Sequence, residues 1–446
     1  MLRSRWRTLA AVPTLALTAS CGLLPAGGAA TTDKGHSPSV IRVPADASTI
    51  TQAVDRARPG DLVLLSPGVY KETVTIRTER IVLRGADRNR VVIDGEGRRG
   101  NGVVVTAPAT SVENLTVRGH LQNGVLVTGM TSGGEGVGRG SDGYHLLDPK
   151  TDPPLNGFRV RYVTAVNNGL YGIYAFNAHH GLIEHNYASG SADSGLYVGQ
   201  CKPCDIAVRG NLAERNAVGY EGTNASDRMW VTGNRFSGNR VGMTVNSDYL
   251  EALVPQTGAT IAGNLIADNA APDTPEQADG GFGIGIGIAG GRANTILRNR
   301  VTGHPRAALV LASAEDLPPN GNRAEGNLFQ ANTLDVAYLA SPRAPGSNNC
   351  LTGNTLATTL PADLATTMAC PGDAAPAAGP TTGLTSPPAP VGTPFLDVPA
   401  PPAQPQMPHA ATAPAEPATG LPGPIDLASV HLPAPGLLTE WSRDRR

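Results

Sequence analysis

The sequence has few aromatic residues and no surplus of charge of either sign. Its 446 residues include 6 Phe, 3 Trp and 10 Tyr, and 35 basic side chains oppose 37 acidic ones. This balance argues against a nucleic-acid-binding protein, which normally carries a basic surplus. Charged residues make up only 16% of the chain, which excludes a coiled coil or long helical rod. A single ordinary globular core is also disfavoured, because such cores draw much of their buried area from aromatic groups.

Beyond the N-terminus the sequence has no apolar run long enough to span a membrane. The N-terminus itself begins MLRSRWR and continues with a short apolar run and small residues before Cys21. This pattern predicts a signal peptide over residues 1–20. Thr18-Ala19-Ser20-Cys21 resembles a bacterial lipobox, so we expect lipidation of Cys21, a tether over 21–39 and a lipoprotein anchored on the outer face of the cell membrane. Ordinary secretion with cleavage nearby is the alternative, because a threonine stands where the lipobox pattern has leucine.

Asparagine is absent from both ends of the chain and proline is concentrated at one of them. Every Asn lies between Asn89 and Asn354, whereas residues 371–446 contain 18 of the 38 prolines. The second composition predicts a disordered Pro/Ala-rich tail over 371–446, because such a chain cannot bury enough apolar surface to form its own core. The alternative is that the tail docks along the domain through apolar residues, namely Phe395, Leu396, Val398 and Ile425.

The asparagines mark a repeat. Each unit has an Asn, a short apolar stretch, often a second Asn five places later, and then a Gly with an alternating apolar run. The unit is clearest in GNLAERNAVGYEG (Gly210 to Gly222) and GNRFSGNRVGMTV (Gly233 to Val245). Successive first asparagines lie 23 to 35 residues apart, at Asn186, Asn211, Asn234, Asn264, Asn299, Asn327 and Asn354.

The spacing within each unit predicts short strands and bends. Alternation of period two places the following residues on an inner face: Ile173, Ala175, Leu196, Val198, Met243 and Val245. Asparagine suits the bends, because it tolerates the left-handed conformation and its amide can donate to and accept from the same residue in the next unit. We therefore expect stacked coils with asparagine ladders at their corners.

This repeat resembles the right-handed parallel β-helix family, with a pectin-lyase-like or NosD-like architecture, over roughly residues 40 to 360. The resemblance implies an all-β fold, a right-handed parallel β-helix (solenoid) over 40–370. It also implies an N-terminal capping helix, and Ile50, Ala53, Val54 and Ala57 stand at helical spacing in the opening segment. A cap is required, since the first coil would otherwise expose an apolar stack and an open strand edge.

Four cysteines remain after Cys21. Repeat geometry places Cys201 and Cys204 about five coils, or about 24 Å, from Cys350, too far for a disulfide. We therefore predict Cys201 paired with Cys204 as a turn staple, and Cys350 paired with Cys370 at the C-terminal cap. A redox role for the CKPC segment lacks the necessary strand and helix setting, and a zinc site would need further ligands. No metal or cofactor is expected.

Outward positions of the coils are where a ligand could bind. The residues after each coil's Gly predict an aromatic column of Tyr174, Phe176 and Tyr197, followed by Glu221. Aromatic rings pack on sugar rings, and carboxylates accept sugar hydroxyls or transfer protons. We assign Asp193 and Glu221 as candidate catalytic residues, with ligand-binding residues Tyr174, Phe176, Tyr197, Asn224, Asp248 and His179. A solvated face without function is the alternative. Two long insertions favour a site in these coils. One is the Gly-rich loop TGMTSGGEGVGRGSDGYHLLDPKTDPPLN between the coils of Gly124 and Gly172; the other is SDYLEALVPQTG, with APDTPEQADGG one turn later.

The chain departs from the active sites known in the β-helix family. The segment YGIYAFNAHH resembles the Tyr-Gly-Phe-Asp-Pro-His-Asp motif of alginate C5-epimerases, but Tyr174, Phe176 and Asn177 replace its Asp, His and second Asp. We therefore expect a monomeric β-helix lipoprotein that binds an extracellular or cell-envelope polysaccharide without catalysis. A polysaccharide lyase or hydrolase that uses Asp193 and Glu221 is the alternative. A NosD-like periplasmic accessory role is a third hypothesis and rests on fold alone.

Overall fold

The computed structural model describes residues 37–132, 135–136, 148, 150–371, 384–420, 423 and 425–443. The predicted signal peptide, Cys21 and nearly all of the predicted tether lie outside the described residues. Most of the Gly-rich loop between the strands that end at Thr128 and begin at Leu155 also lies outside them.

Three long sheets of parallel strands dominate the described residues. Sheet 1 consists of Val40–Val43, Leu62–Leu65, Val82–Gly85, Thr110–Glu113, Leu155–Arg161, Ala178–Glu184, Ile206–Arg209, Met229–Thr232, Ala259–Ala262, Thr295–Leu297, Arg323–Glu325 and Cys350–Thr352. Sheet 2 consists of Gly68–Tyr70, Val91–Asp94, Thr116–Arg118, Thr164–Val166, Tyr187–Ser189, Leu212–Glu214, Arg235–Ser237, Leu265–Ala267, Arg300–Thr302 and Leu328–Gln330. Sheet 3 consists of Val74–Ile76, Val103–Val105, Val125–Thr128, Ile173–Phe176, Ser194–Cys201, Val218–Ala225, Val241–Asn246, Ile284–Ala289, Ala307–Ala312, Val336–Leu339 and Thr359–Leu360.

Each coil contributes one strand to each sheet in turn. One coil, for example, runs through Ala178–Glu184, Tyr187–Ser189 and Ser194–Cys201 before the next begins. The predicted inward residues are 0 to 2% exposed and belong to one continuous aliphatic core: Ile173, Ala175, Leu196, Val198, Met243 and Val245. The predicted fold class, an all-β parallel β-helix, is confirmed. A short antiparallel pair, Thr131–Ser132 with Glu135–Gly136, stands outside the coils.

The predicted asparagine ladder is present at the bend between sheets 1 and 2. Asn186 donates from its backbone N and from Nδ2 to Asn211 Oδ1, at 2.9 and 3.0 Å. The same pair of bonds links Asn211 to Asn234 and continues through the later coils to Asn354. Each buried amide is thus satisfied by the next coil, which is the condition for burying a polar group at little cost.

A second ladder follows the bend between sheets 2 and 3 and contains a histidine. It runs through Asn216, Asn239 and Asn269. His304 takes the next position, with its ring nitrogens 3.1 Å from Asn269 Nδ2 and 3.0 Å from Asn332 Oδ1. His304 is fully buried, and burial lowers its pKa to about 4. The ring is therefore neutral at physiological pH.

The predicted capping helix is also confirmed. It spans Ile50–Arg56, and the side chain of Thr49 accepts a hydrogen bond from Gln52 N at its start. Ile50, Ala53 and Val54 are at most 3% exposed and belong to the main core. The helix therefore covers the open end of the first coil. The remaining described helices are short, at Leu364–Thr367, Phe395–Asp397, Leu427–Ser429 and Thr439–Trp441.

Both predicted disulfides are present. Cys201 pairs with Cys204 and Cys350 pairs with Cys370, with Cα atoms 4.7 and 4.9 Å apart. Such bonds persist in oxidising compartments outside the cytoplasm, which indicates an extracytoplasmic protein. None of the helices in the described ranges has the length and apolar character needed to cross a membrane.

The described part of the tail, residues 384–420 and 425–443 (the C-terminal segment), packs against the β-helix, so the prediction of disorder is corrected for these residues. Arg84 donates to the carbonyl oxygens of Ala413 and Pro414 at 2.6 and 3.1 Å. Arg298 and Arg300 donate to carbonyl oxygens further along the segment in the same way. A proline-rich chain has few N–H donors of its own but keeps every carbonyl acceptor. The arginine side chains of sheets 1 and 2 supply the missing donors, which composition alone could not show.

An apolar anchor completes the docking. Trp441 is 8% exposed and packs against Val166, Tyr187 and Leu212 of sheet 2. Beside it, buried Glu214 accepts hydrogen bonds from Tyr187, Ser442 and Arg443 N at 2.6, 2.6 and 3.0 Å. Among the residues expected to dock, Val398 is 3% exposed, whereas Leu396 is 49% exposed. The main anchor is therefore Trp441, which the sequence prediction did not include.

Candidate active site

The outer face of sheet 3 carries one column of predicted site residues. Tyr174 pairs with Tyr197, Tyr197 with Glu221, and Glu221 with Thr244 in the parallel register. Thr244 pairs in turn with Gly287 of the next coil. Because neighbouring strands lie about 4.8 Å apart, the column presents one residue per coil at that spacing. These residues stack in the order that the sequence predicted.

The aromatic part of this column is buried. Tyr174, Phe176 and Tyr197 are 3%, 1% and 1% exposed. Together with Tyr171 they form ring contacts with centroids 4.5 to 5.2 Å apart. The same cluster includes the aliphatic residues Val104, Leu126 and Met130. The open aromatic platform expected from the sequence is therefore not present, because these side chains bury one another's apolar surface.

Two carboxyl groups share one serine hydroxyl next to Tyr197. Ser194 Oγ lies 2.7 Å from Glu221 Oε2 and 3.2 Å from Asp193 Oδ1. Those two carboxyl oxygens are therefore no more than about 6 Å apart, close to the spacing of carboxyl pairs that cleave glycosides. Both acidic residues are partly exposed, whereas Ser194 is buried. Among the described residues, no group of three or more His, Cys, Asp or Glu side chains is arranged to hold a metal ion.

The surroundings of Glu221 favour its protonated form. Burial, followed by the negative charge of Asp193, raises the pKa of Glu221 to about 8. A serine hydroxyl has one hydrogen, so Ser194 cannot donate to both carboxylates at once. Its shorter contact, to Glu221 Oε2, is the one in which the Ser194 hydroxyl donates most directly, and this bond partly opposes the effect of burial on the pKa of Glu221. Burial and the negative charge of Asp193 thus both favour a protonated Glu221 at neutral pH.

Glu251 is a third acidic residue near this pair, and sequence reasoning missed it. Tyr197 donates its hydroxyl hydrogen to Glu251 Oε1. Burial, followed by the charge of Glu251, raises the pKa of Tyr197 well above its usual range. The same charge contributes to the raised pKa of Glu221, after burial and Asp193. The insertion SDYLEALVPQTG was recognised as a candidate functional loop, but the repeat pattern does not show which of its residues turns inward.

Asn224 holds the loop that carries Glu251. Its amide donates to the backbone oxygens of Asp248 and Glu251 at 2.7 and 3.0 Å, and its Oδ1 accepts from Asp248 N at 3.1 Å. Asn224 is fully buried. The Asp248 carboxylate accepts from Leu250 N at 2.8 Å within the same loop. The structure thus places Asn224 and Asp248, both predicted to bind ligand, in contacts that fix the loop.

His179 lies in a different sheet from the carboxyl pair. It is in the strand Ala178–Glu184 of sheet 1, and its ring centroid is 4.7 Å from that of His180. Burial, followed by the charge of His180, lowers the pKa of His179. With Asn177 and Lys202 it lines a cavity of about 120 Å³. The structure does not bring His179 together with Asp193 and Glu221 in one hydrogen-bonded group, and its ligand-binding role stays a prediction.

Two loops border the exposed part of the column. Residues 247–258 connect sheet 3 to sheet 1, and residues 268–283 connect sheet 2 to sheet 3. They therefore rise on opposite sides of the sheet 3 face. Between them Glu221, Thr244 and Gly287 are partly exposed. We refer to this partly exposed strip on the outer face of sheet 3, which has Glu221 at one end and lies between the two loops, as the cleft.

A comparison with protein families gives one match. Residues 155–356 match a family model described as the right handed beta helix region. The matched residues include Asp193, Glu221 and Glu251. No curated protein sequence matches this chain.

Several solved structures share the fold at low sequence identity. The A-module of mannuronan C-5 epimerase AlgE4 from Azotobacter vinelandii is 15% identical over 69% of this chain and 90% of that chain, with a TM-score of 0.48. Pectate lyase Pel9A is 14% identical over 73% and 79%, with a TM-score of 0.42. The catalytic unit of an alpha-1,3-glucanase from Streptomyces thermodiastaticus is 16% identical over 75% and 65%, with a TM-score of 0.41. The matched region and the three parallel sheets show that the described coils have a right-handed parallel β-helix fold.

Proposed function

We propose that this protein is an extracytoplasmic glycoside hydrolase that acts on a neutral glycan through Asp193 and Glu221. The observation that carries the proposal is the contact of both carboxyl groups with Ser194 Oγ, at 3.2 and 2.7 Å. A neutral carboxylic acid beside an ionised one is the combination that glycoside cleavage requires. The pair lies on the floor of a cleft and is partly exposed, so a sugar can reach it.

The two residues have distinct roles in this proposal. Asp193 attacks the anomeric carbon, and the bond from that carbon to the glycosidic oxygen breaks as Glu221 gives its proton to that oxygen. This step forms a glycosyl ester on Asp193 and releases the first product. Glu221, now a carboxylate, takes a proton from water, and the resulting nucleophile cleaves the ester. Each step conserves charge, and the second step returns Asp193 to a carboxylate and Glu221 to an acid.

The spacing of the pair indicates retention of anomeric configuration. The oxygens that contact Ser194 are no more than about 6 Å apart, which is nearer to the roughly 5 to 5.5 Å of retaining enzymes than to the 6.5 to 9.5 Å of inverting ones. An inverting enzyme needs room for a water molecule between its base and the sugar. A separation of no more than about 6 Å lies below the range of inverting enzymes.

The charge around the site favours a neutral sugar over a uronate. Besides burial, Asp193 and Glu251 are the groups that raise the pKa of Glu221. A uronate carboxylate placed among them would meet like charge at low dielectric constant, which is unfavourable. Arg240, on the loop side of the cleft, donates to Pro390 O at 2.6 Å and lies 5.4 Å from the Phe282 ring centroid. The guanidinium of Arg240 is thus already held by Pro390 and Phe282 and is not available to bind a uronate carboxylate. This disfavours the lyase alternative, because it requires a uronate substrate.

Glycan binding without catalysis is the second candidate function. Its supporting observation is that Thr223 donates to Glu221 Oε1 at 3.1 Å while Ser194 contacts Oε2. A carboxyl group held on both oxygens is well placed to position sugar hydroxyls. The two candidates share the cleft and differ in whether a bond is broken.

The proposed location is the outer face of the cell envelope. The two disulfides support an extracytoplasmic site, and the lipobox-like Thr18-Ala19-Ser20-Cys21 supports a lipid anchor. Incorporation of labelled palmitate into the wild-type protein, and its loss in Cys21→Ala, would be the expected result. Release of the wild-type protein into the medium without label would contradict the anchor.

A glycan panel separates the candidates. Purified full-length protein is incubated with neutral and uronate oligosaccharides, and binding and reducing ends are measured for the wild type, Glu221→Gln, Asp193→Asn and the control Glu325→Gln, whose side chain is 41% exposed on sheet 1. Hydrolysis predicts turnover of a neutral glycan, lowered at least about a hundredfold by Glu221→Gln, with binding retained. Binding without turnover favours the second candidate. The absence of both would contradict the proposal.

A further inference from the structure

The cleft is closed at its N-terminal end by the aromatic cluster. Tyr174 and Tyr197 occupy the same outer column as Glu221 in the two preceding coils. Both side chains are at most 3% exposed. A polysaccharide could extend past Glu221 toward the N-terminal coils only by lying above these buried rings. It would find no exposed residue of the column there.

At the other end of the cleft, beyond Gly287, the outer column is covered, and Leu384 of the C-terminal segment packs there. Gly287 pairs with Val310, and Val310 pairs with Ala337. Val310 and Ala337 are 7% and 0% exposed, and Leu384 packs against the apolar cluster that contains both. The outer column is therefore buried on both sides of Glu221, Thr244 and Gly287.

The exposed floor between these two ends is short. It comprises Glu221, Thr244 and Gly287, and three coils at the β spacing place its first and last residues about 10 Å apart. The carboxyl pair stands at the N-terminal end of that floor. Sugar units can therefore occupy the floor on one side of the pair, whereas on the other side the outer column is filled.

The same C-terminal segment braces one side of the cleft. Pro390 O accepts from Arg240, and Gly392 N donates to Glu276 Oε1 at 2.9 Å. Thr393 N donates to Thr274 O at 2.9 Å. Glu276 and Thr274 belong to the bordering loop 268–283. The segment that contains Leu384 is thus fixed both to the end of the floor and to its side.

From this geometry we infer that the cleft accepts the end of a glycan chain or a short oligosaccharide, and not the interior of a long polymer. Leu384 is the specificity-determining residue that closes the C-terminal end. The inference rests on the proposed function, because it defines the substrate class of the same cleft. If the inference is correct, shortening the Leu384 side chain or replacing it with a charged group should expose Val310 and Ala337. The floor of the cleft would then be longer.

The test compares linear, cyclic and polymeric forms of the glycan that the panel identifies as a ligand, with linear and cyclic β-glucans as the starting probes. Cyclic forms have no chain end. We expect the wild type to bind the linear oligosaccharide at least about tenfold more tightly per site than the cyclic or polymeric forms. Leu384→Asp is expected to bring polymer binding to within about twofold of oligosaccharide binding. Leu432→Asp, at another tail leucine that is 40% exposed, is the matched control and is expected to behave as the wild type.

The outcomes separate this inference from the function on which it rests. Equal binding of linear, cyclic and polymeric forms by the wild type would overturn the closed cleft and leave glycan recognition in place. Discrimination that survives Leu384→Asp, in a variant with wild-type circular dichroism and thermal stability, would overturn the role of Leu384. Failure to bind any glycan would overturn the proposed function and the inference together.

Discussion

The hydroxyl of Tyr197 donates its hydrogen to Glu251, a residue 54 positions further along the chain. Tyr197 belongs to the buried aromatic cluster, and Glu251 belongs to the loop that borders the cleft. This single bond therefore joins the side of the cleft to its closed N-terminal end. It also directs a buried carboxyl group toward the pair that we propose to be catalytic.

We predict that Tyr197→Phe destabilises the protein by about 1 to 3 kcal/mol, because it removes the hydrogen bond that the Tyr197 hydroxyl donates to buried Glu251. Denaturant unfolding followed by circular dichroism measures the effect. Tyr249→Phe is the matched control, since the Tyr249 hydroxyl donates to Asp316 at 2.8 Å on a residue that is 43% exposed. That control is expected to change stability by less than about 0.5 kcal/mol. Equal effects of the two substitutions would contradict the prediction.

The acid form of Glu221 predicts a stability loss as pH rises. Its pKa is about 8 in the folded state, against 4.5 for the free side chain. Between those values the folded state binds more protons than the unfolded one, so stability falls with increasing pH across this window. Glu221→Gln mimics the protonated acid and is expected to be more stable than the wild type at pH 8 by roughly 4 kcal/mol.

Thermal unfolding of the wild type and Glu221→Gln across pH 5 to 9 provides the measurement, with the window set by the pKa values above. The two curves are expected to diverge as pH rises. Asp193→Asn removes a negative charge that raises the pKa of Glu221. This variant should therefore lose less stability than the wild type as pH rises. Parallel curves for the wild type and Glu221→Gln would show that Glu221 is ionised throughout.

The buried His304 predicts a loss of stability as pH falls. Its folded-state pKa is about 4, lowered by burial from 6.5, so the unfolded state binds more protons between these values. Stability is expected to be complete above pH 6.5 and to fall by roughly 3 kcal/mol as pH decreases to about 4. His304→Asn continues the ladder of Asn269 and Asn332 without a titratable ring and should remove this share of the loss.

Thermal unfolding between pH 4 and 7.5 measures the effect of His304→Asn, with the window taken from the folded and free values of the histidine. His409→Asn, at an exposed position of the C-terminal segment, is the control and should leave the pH profile of the wild type in place. His120 is buried as well, and burial lowers its pKa to about 4. Some acid sensitivity should therefore remain in His304→Asn, and its complete absence would assign the whole effect to His304.

Trp441 predicts that the C-terminal segment can be detached without unfolding the coils. Trp441→Ala removes a side chain that packs on Tyr187 and Leu212, at an expected cost of about 2 to 4 kcal/mol in docking. Limited proteolysis should then cleave the segment at least about tenfold faster, while circular dichroism keeps its strand signal. Leu432→Ala, at an exposed position, should be cleaved at the wild-type rate. Unchanged cleavage of Trp441→Ala would show that hydrogen bonds alone hold the segment.

The coil architecture could be predicted because it repeats. Asn211 and Asn234 recur in equivalent positions, and the same alternation of apolar residues surrounds each of them. Repetition averages over local ambiguity, so the strands, inward residues and ladders follow from sequence alone. The disulfides follow as well, because the distance between coils fixes which cysteines can meet.

The site could be predicted only in part, because its details depend on segments that do not repeat. Glu221 and Tyr197 were found from the outward column. The burial of Tyr197 and the contribution of Glu251 depend on a loop whose path the repeat does not determine. The docked position of Trp441 depends on donors and apolar surface that other coils provide. The composition of the C-terminal segment does not show where on the β-helix it binds.

The ladder of Asn186, Asn211 and Asn234 makes neighbouring coils interchangeable. Each rung presents the same acceptor to the coil before it and the same donors to the coil after it. A deletion that removed residues 211–233 would bring Asn186 to Asn234, which offers the same side-chain acceptor as Asn211. Glu221 would be lost with that coil while the scaffold closed behind it. Loss of one whole coil can thus remove the proposed activity while the remaining coils still form a continuous ladder.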